Sequence, residues 1–359
     1  MRTWILGLTI ALALVSTRPR AQTATAPNVV VITIDGLRWQ EMFGGANQEY
    51  FKKVKDGSPG AAEKRFWRPT ADARRSVLMP FIWGTVAAKG QIFGDPARGS
   101  RAHLTNGLWF SYPGYNEMLS GSADPRVDSN DKVPNPNLTV LEWLNQRPEF
   151  AGRVAAFGAW DVLPSILNTG RSRIPVGSGF SPVPSATTER ERAINELAAD
   201  LPPYWEYGTF DAPIVYAALE ALRTTKPRVL YIMLGEGDEW AHAGRYDLYL
   251  DASFRADRFI ARIWDTLQSM PEYANRTTLL VTTDHGRGAT TTDWMDHGRK
   301  VPAADTTWFA AIGPGVAPLG PRESVTVTTS QLAATIAAVV GEDFRAAVPA
   351  AAPPLPGIR

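Results

Sequence analysis

Three short apolar runs constrain this chain more than any other feature. They lie at 29–34 (VVVITI), 229–234 (VLYIML) and 279–283 (LLVTT). A run with no polar alternation has no face to offer water, so it suits a strand buried on both sides, as in a parallel sheet. Weaker strand signals occur at 153–157 and 307–312, and helical periodicity covers 139–146, 213–224, 246–270 and 331–340. This alternation predicts a doubly wound, mostly parallel α/β sheet with helices on both faces, spanning residues 27–345. The rhythm fails over 165–210, which is rich in Ser, Pro, Gly and Arg and reads as a small insertion or cap over the sheet edge. Residues 346–359 (AAVPAAAPPLPGIR) read as an extended tail rather than packed structure.

Each strong run ends in chemically loaded residues. The first delivers Asp35-Gly36, the second Gly235-Glu236-Gly237-Asp238 with His242 one helical turn on, and the third Asp284-His285-Gly286. In open α/β sheets the carboxyl ends of the strands line the ligand crevice, so three acids and two histidines are aimed at one rim. The tetrapeptide DHGR occurs at 284–287 and again at 296–299, and the second copy puts His297 within reach. Each piece alone has a plainer explanation, since Asp-Gly is a common turn and an i,i+4 Asp/His pair is a common helix-surface contact. Together they predict an oxygen-and-nitrogen site suited to zinc or manganese. The chain has no cysteine, so thiolate ligation and disulfides are excluded.

Residues 1–21 carry Arg2 and the apolar stretch WILGLTIALALV, the pattern of a secretory signal. The mature protein is therefore expected to be exported, periplasmic or secreted, and no later segment is apolar enough to span a bilayer. Removing the leader takes away Arg2, Arg18 and Arg20 and no acid, so the formal charge moves from +1 to −2. No concentrated basic face is present, which argues against a nucleic-acid duplex as partner. A nucleophile candidate stands in WFSYPGYNE (109–117), where Pro113 is placed to open a helix with Ser111 at its N-terminal end. Helix N-termini favour negative charge, and serine needs such help or a metal before it attacks at neutral pH. On capping preference alone, Ser111 is an N-cap. Neither a G-x-S-x-G elbow nor a P-loop is present.

The order Asp-Gly (35–36), Ser-x-Pro (111–113), Asp-x-x-x-His (238–242), Asp-His-Gly (284–286) and a later His297 resembles the alkaline phosphatase superfamily. The closest look is to its type I phosphodiesterase/nucleotide pyrophosphatase branch, over about Val29 to Ile312. The resemblance implies two divalent ions, zinc or alternatively manganese. It assigns Asp238, His242 and His297 to the first ion and Asp35, Asp284 and His285 to the second, with Ser111 as the nucleophile bridging toward the second. It also implies an asparagine at the non-bridging oxygens; Asn130 is the better match and Asn116 the rival. The implied chemistry is in-line attack on phosphorus, a covalent phosphoryl- or nucleotidyl-enzyme, and its hydrolysis. In the second DHGR only His297 has a counterpart; Asp296 orients a histidine or faces solvent.

Two departures qualify the resemblance. The phosphodiesterase branch usually carries threonine where this chain has Ser111, and serine is more typical of monoesterase and mutase relatives. The sulfatase signature is not met, because Gly114 and Tyr115 follow Pro113 and no arginine follows within the motif. The related mutases are cytoplasmic and larger, which conflicts with the leader. The expectation is thus a secreted, metal-dependent phosphoric-ester hydrolase acting on a small phosphate ester or nucleotide. A phosphomonoesterase is the alternative, a sulfatase less so, and a metal-site binding protein without turnover the remotest. Trp109, Phe110, Tyr112, Trp160 and Trp240 are candidates for a pocket around a second ester group, or for core packing.

Overall fold

The computed structural model describes residues 27–54, 57 and 59–359, so the leader expected over 1–21 lies outside the described residues. Eleven strands are present among these: β1 (Asn28–Ile34), β2 (Gln91–Phe93), β3 (Arg101–His103), β4 (Val154–Gly158), β5 (Val176–Ser178), β6 (Val229–Leu234), β7 (Thr277–Thr282), β8 (Thr306–Thr307), β9 (Phe309–Ile312), β10 (Gly320–Pro321) and β11 (Thr326–Thr328). Eight form the main sheet in the order β10-β2-β9-β7-β1-β6-β4-β5, and β11-β3-β8 form a second, small sheet. All the main-sheet pairings are parallel except those of β9, which runs antiparallel to both β7 and β2.

The doubly apolar character of the three strong runs has a direct structural cause. In β1, Val30, Ile32 and Ile34 enter one core while Val29 and Val31 enter the other. β6 divides the same way, with Leu230, Ile232 and Leu234 on one side and Val229, Tyr231 and Met233 on the other. Helices cover both faces, including Asp211–Thr224 and Tyr246–Ser269 on one and Ser111–Ser120 and Gln331–Val339 on the other. Burying each such aliphatic side chain stabilises the fold by about 1.5–3 kcal/mol. The register pairs Ile34 with Leu234 and Thr33 with Thr282. The carboxyl ends of β1, β6 and β7 therefore finish side by side, and the acids after them emerge on one rim.

Three expectations change in detail. The run at 307–312 is two strands: Thr306–Thr307 pairs with β3, and Phe309–Ile312 joins the main sheet. Between them Trp308 is fully buried, its indole donating to Leu37 O at 2.9 Å. Within 165–210 the chain forms edge strand β5 and helix Glu189–Asp200, started by a Thr188/Glu191 capping box. The tail is packed, which corrects the reading of 346–359. Helix Phe344–Ala347 opens it, Ala351, Leu355 and Ile358 are buried, and Leu355 N donates to Thr335 Oγ1 at 2.8 Å. Its few apolar side chains are spaced to fill the core edge, which composition alone conceals. Among the described residues no helix is long and apolar enough to cross a membrane.

Candidate metal centre and nucleophile

All six candidate ligands converge. Asp35 and Asp284 leave neighbouring strands β1 and β7, and His285 stands between them: its Nε2 is 3.3 Å from Asp35 Oδ1 and 3.4 Å from Asp284 Oδ2. Helix Glu236–His242 follows β6 and carries the i,i+4 pair, with His242 Nε2 3.2 Å from Asp238 Oδ2. His297 returns from the loop after β7, 3.0 Å from His242 through the two Nε2 atoms. His285 Nε2 and Asp238 Oδ1, 3.8 Å apart, join the two halves. Donor atoms of Asp35, Asp284 and His285 form one group that could hold an ion, and those of Asp238, His285 and His297 form another.

The hydrogen bonding fits a cation. His285 Nδ1 lies 2.8 Å from the acceptor Gly286 O, so Nδ1 carries a proton and Nε2 is the nitrogen that faces the acids. Asp35 Oδ2 accepts from Tyr115 OH at 2.9 Å, and Asp284 Oδ1 accepts from Gly36 N at 3.0 Å. The opposite oxygens, Asp35 Oδ1 and Asp284 Oδ2, are buried and share the single nitrogen His285 Nε2, at 3.3 and 3.4 Å, and His297 Nδ1 is buried without a hydrogen bond. Buried acceptors short of donors are costly, and those of Asp35 and Asp284, grouped with His285, define a place for positive charge.

The ionisation of these groups shows the same demand. Burial pushes the carboxyl of Asp35 up, and the charge of Asp238 adds to it. Burial also raises Asp284 well above the usual carboxylate range, with Asp35 contributing. Burial opposes charging His285, yet Asp284, Asp35 and Asp238 outweigh it and hold that imidazole at about 9. His297 is held well below the usual value by burial and by His285. Burial opposes charging Asp238 too, yet Arg287 and His242 hold it well below the usual range, so the demand for a proton or a metal falls on Asp35 and Asp284.

Ser111 Oγ lies 3.3 Å from His285 Nε2, beside this cluster. Ser111 is the first residue of helix Ser111–Ser120, and its N-cap is Phe110, which makes no side-chain cap. The capping reading of Ser111 is therefore corrected: its hydroxyl turns to the histidine, not to the helix backbone. The helix begins two residues earlier than Pro113 suggested, because a proline tolerates any position in the first turn, where N–H groups lack partners. Tyr112 N donates to Asn130 Oδ1 at 3.0 Å, and Asn130 lines the cleft with Ser111. Asn116 instead accepts from Asn137 Nδ2 at 2.9 Å and is absent from the cleft wall.

Gly114 explains how the helix comes so close to the third strand end. A Cβ there would sit 2.5 Å from Asp284 O, a backbone atom that cannot swing aside. Gly114→Ala is expected to destabilise the protein by about 1–3 kcal/mol through overpacking. Urea unfolding checks this, and an unchanged midpoint would mean the helix packs otherwise.

The cleft has a volume of about 610 Å3. Its wall includes Trp160 but none of Trp109, Phe110, Tyr112 or Trp240. Trp240 is buried against Tyr204 and Trp205, each ring 5.0 Å away, so that part of the aromatic expectation resolves as packing. Sequence reading missed Tyr207, Gly208 and Thr209, which reach the wall because Gly208 bridges to Trp160 and Thr209 N donates to Ala159 O at 2.9 Å. It also missed Lys132, paired with Asp161 at 2.7 Å, and Glu239, whose carboxyl burial and Asp238 push up to about 7. No local signal marks these residues. Asp296 is exposed, and its carbonyl accepts from Gly288 N at 3.0 Å.

No protein-family model and no curated protein sequence matches this chain. Solved structures do. Wild-type alkaline phosphatase PafA superposes with a TM-score of 0.58 at 10% identity, covering 89% of this chain and 96% of that one. A protein in the alkaline phosphatase superfamily from Vibrio parahaemolyticus gives 0.52 at 13% identity, covering 89% and 67%. BT1596, a 2-O GAG sulfatase, gives 0.53 at 14% identity, covering 89% and 71%. The fold is that of the alkaline phosphatase superfamily, a mostly parallel sheet between helices.

Proposed function

We propose that this protein is an exported, metal-dependent hydrolase of phosphoric esters, of the phosphodiesterase/nucleotide pyrophosphatase kind, with Ser111 as nucleophile. The observation that carries the reading is the placement of Ser111 Oγ 3.3 Å from His285 Nε2, beside Asp35 and Asp284, each of which has one buried oxygen without a hydrogen bond. Asp238, His242 and His297 would hold one divalent ion, and Asp35, Asp284 and His285 the other, zinc or alternatively manganese. When bound, the pair supplies Lewis acidity, which lowers the pKa of an attacking hydroxyl and neutralises charge on the transferred group.

The chain's own residues do the rest. Ser111 Oγ gives up its proton to solvent and attacks phosphorus in line, the bond to the leaving oxygen breaks to release an alcohol, and the phosphate with its remaining ester group stays on Ser111 for water to cleave. Tyr112 N occupies the carbonyl oxygen of the Asn130 side chain, leaving its Nδ2 to donate to a non-bridging oxygen. The cleft wall favours a diester over a monoester. Trp160, Tyr207 and Thr209 offer a surface for a second ester group, and Lys132, the one Lys or Arg in the wall, is already paired with Asp161. A dianionic monoester thus finds no unpaired Lys or Arg there to balance its extra charge.

The discriminating experiment compares kcat/KM on bis-nitrophenyl phosphate, a nucleotide ester, nitrophenyl phosphate and nitrophenyl sulfate. A diester or nucleotide ester is expected to be turned over at least about tenfold faster, a difference of about 1.4 kcal/mol in barrier. Preference for nitrophenyl phosphate would move the protein to the monoesterases, and preference for the sulfate would overturn the phosphoric-ester reading.

A further inference from the structure

The two oxygens of each candidate ligand carboxylate have different duties. One oxygen of Asp35 is held by Tyr115 and one of Asp284 by Gly36 N, and the opposite oxygen is without a hydrogen bond in each. Asp238 is held differently: its Oδ1 accepts from Arg287 Nη1 and lies 3.8 and 3.9 Å from the Nε2 atoms of His285 and His297, while its Oδ2 is 3.2 Å from His242 Nε2. Arg287 ends the first DHGR, is fully buried, and has no role in the motif resemblance.

Its remaining donors go to one place. Nε donates to Trp294 O at 3.1 Å, and Nη2 donates to Met295 O. Those carbonyls belong to the loop that brings His297 back. One rigid, planar group therefore touches a ligand carried by helix Glu236–His242 and the backbone that delivers another ligand from elsewhere in the chain. Gly36 makes the contact sterically available: a Cβ there would lie 2.6 Å from Asp238 Oδ1 and 2.8 Å from Arg287 Nη1, and its φ of +60° suits glycine.

We propose that Arg287 is the positioning residue for the Asp238/His242/His297 half of the site. It fixes the Asp238 carboxylate through Oδ1, so that Oδ2 meets His242 and Oδ1 stays toward His285 and His297, and it sets the loop that presents His297. The inference rests on the metal-dependent reading above. A guanidinium beside an ion also opposes that ion's charge, so charge and positioning predict opposite outcomes when the arginine is replaced. Positioning should win, because partners that orient a ligand typically contribute 10–100-fold in metal affinity, and truncation would leave Asp238 Oδ1 and two carbonyls without their donor.

The test is a calorimetric zinc titration of the metal-stripped full chain, its Arg287→Gln and Arg287→Lys variants, and Asp284→Asn as a reference for the other half. Wild type is expected to take up two zinc ions. Both Arg287 variants should lose about 10–100-fold affinity at one site and keep the other. Lysine should not rescue, because an ammonium cannot reproduce the planar fork across a carboxylate and two carbonyls. Asp284→Asn should lose the complementary site, and Arg287→Gln with Asp284→Asn should lose both. Unchanged or tighter binding in Arg287→Gln would overturn the proposal, as would equal weakening at both sites. If Arg287→Gln loses its circular dichroism, Arg287→Lys decides; loss of fold in both means a purely structural brace and also overturns it. Two zinc ions in wild type with unaffected Arg287 variants leave the hydrolase reading standing, whereas no zinc uptake by wild type removes both.

Discussion

Replacing Ser111 by alanine is expected to lower turnover of the preferred ester by about 10^3-fold or more, since loss of a nucleophile removes the covalent route altogether. The expected signature is selective. Ser111 contributes one hydroxyl, 3.3 Å from His285 Nε2, while the carboxylates and histidines are positioned by other contacts. The variant should therefore keep the two-ion content and the melting temperature of the parent. Wild-type turnover in the alanine variant would sink the nucleophile assignment. Metal lost along with activity would show instead that the hydroxyl serves chiefly as a ligand.

The second large effect concerns metal. Stripping divalent ions is expected to abolish turnover and to lower the melting temperature. Asp35 Oδ1 and Asp284 Oδ2 are buried with only His285 Nε2 facing them, and burial raises both carboxyls above their usual range. An ion present at a thousandfold its Kd stabilises the folded state by about 4 kcal/mol, which for a domain of this size is a shift of about 5–10 °C. Melting curves with and without a chelator, followed by zinc or manganese add-back, measure this. Coincident curves and full activity in chelator would remove the metal-centre reading. In His297→Ala, elemental analysis should find one ion lost and one retained, since Asp35, Asp284 and His285 do not depend on that loop.

Much of the fold was legible because it is written locally. The runs at 29–34, 229–234 and 279–283 became β1, β6 and β7 to within two residues at either end, since apolar text of that length has no other low-energy arrangement in a parallel sheet. The short strands β2, β3, β10 and β11 were not legible; two or three residues carry no periodicity, and pairing defines them. The tail was misread for a related reason. Its alanines and prolines look like linker composition, but Leu355 and Ile358 find a core edge that only the folded domain provides.

The site divides along the same line. Asp35, Asp238, Asp284 and His285 could be named from sequence because each follows a strand end or lies within one helical turn of it, and strand ends share a rim. His242 came with Asp238 through the i,i+4 spacing, and His297 through motif order. Whether Ser111 capped its helix or faced the histidine was undecided by spacing, as was the choice between Asn130 and Asn116. Arg287 carries no local signal at all, since its partners Asp238, Trp294 and Met295 come from two other segments.

Sequence by itself thus determined the parallel α/β sheet, the acids and histidines at its rim and the absence of thiolate chemistry. The tertiary structure alone decided which oxygens of Asp35 and Asp284 go without a hydrogen bond, which asparagine reaches the cleft and that a buried arginine of the first DHGR ties Asp238 to the backbone leading into the second. The physical reason is range: burial and helix periodicity act between neighbours in the chain, whereas hydrogen-bond partners and shared charge are set by whatever the fold brings within about 3 Å.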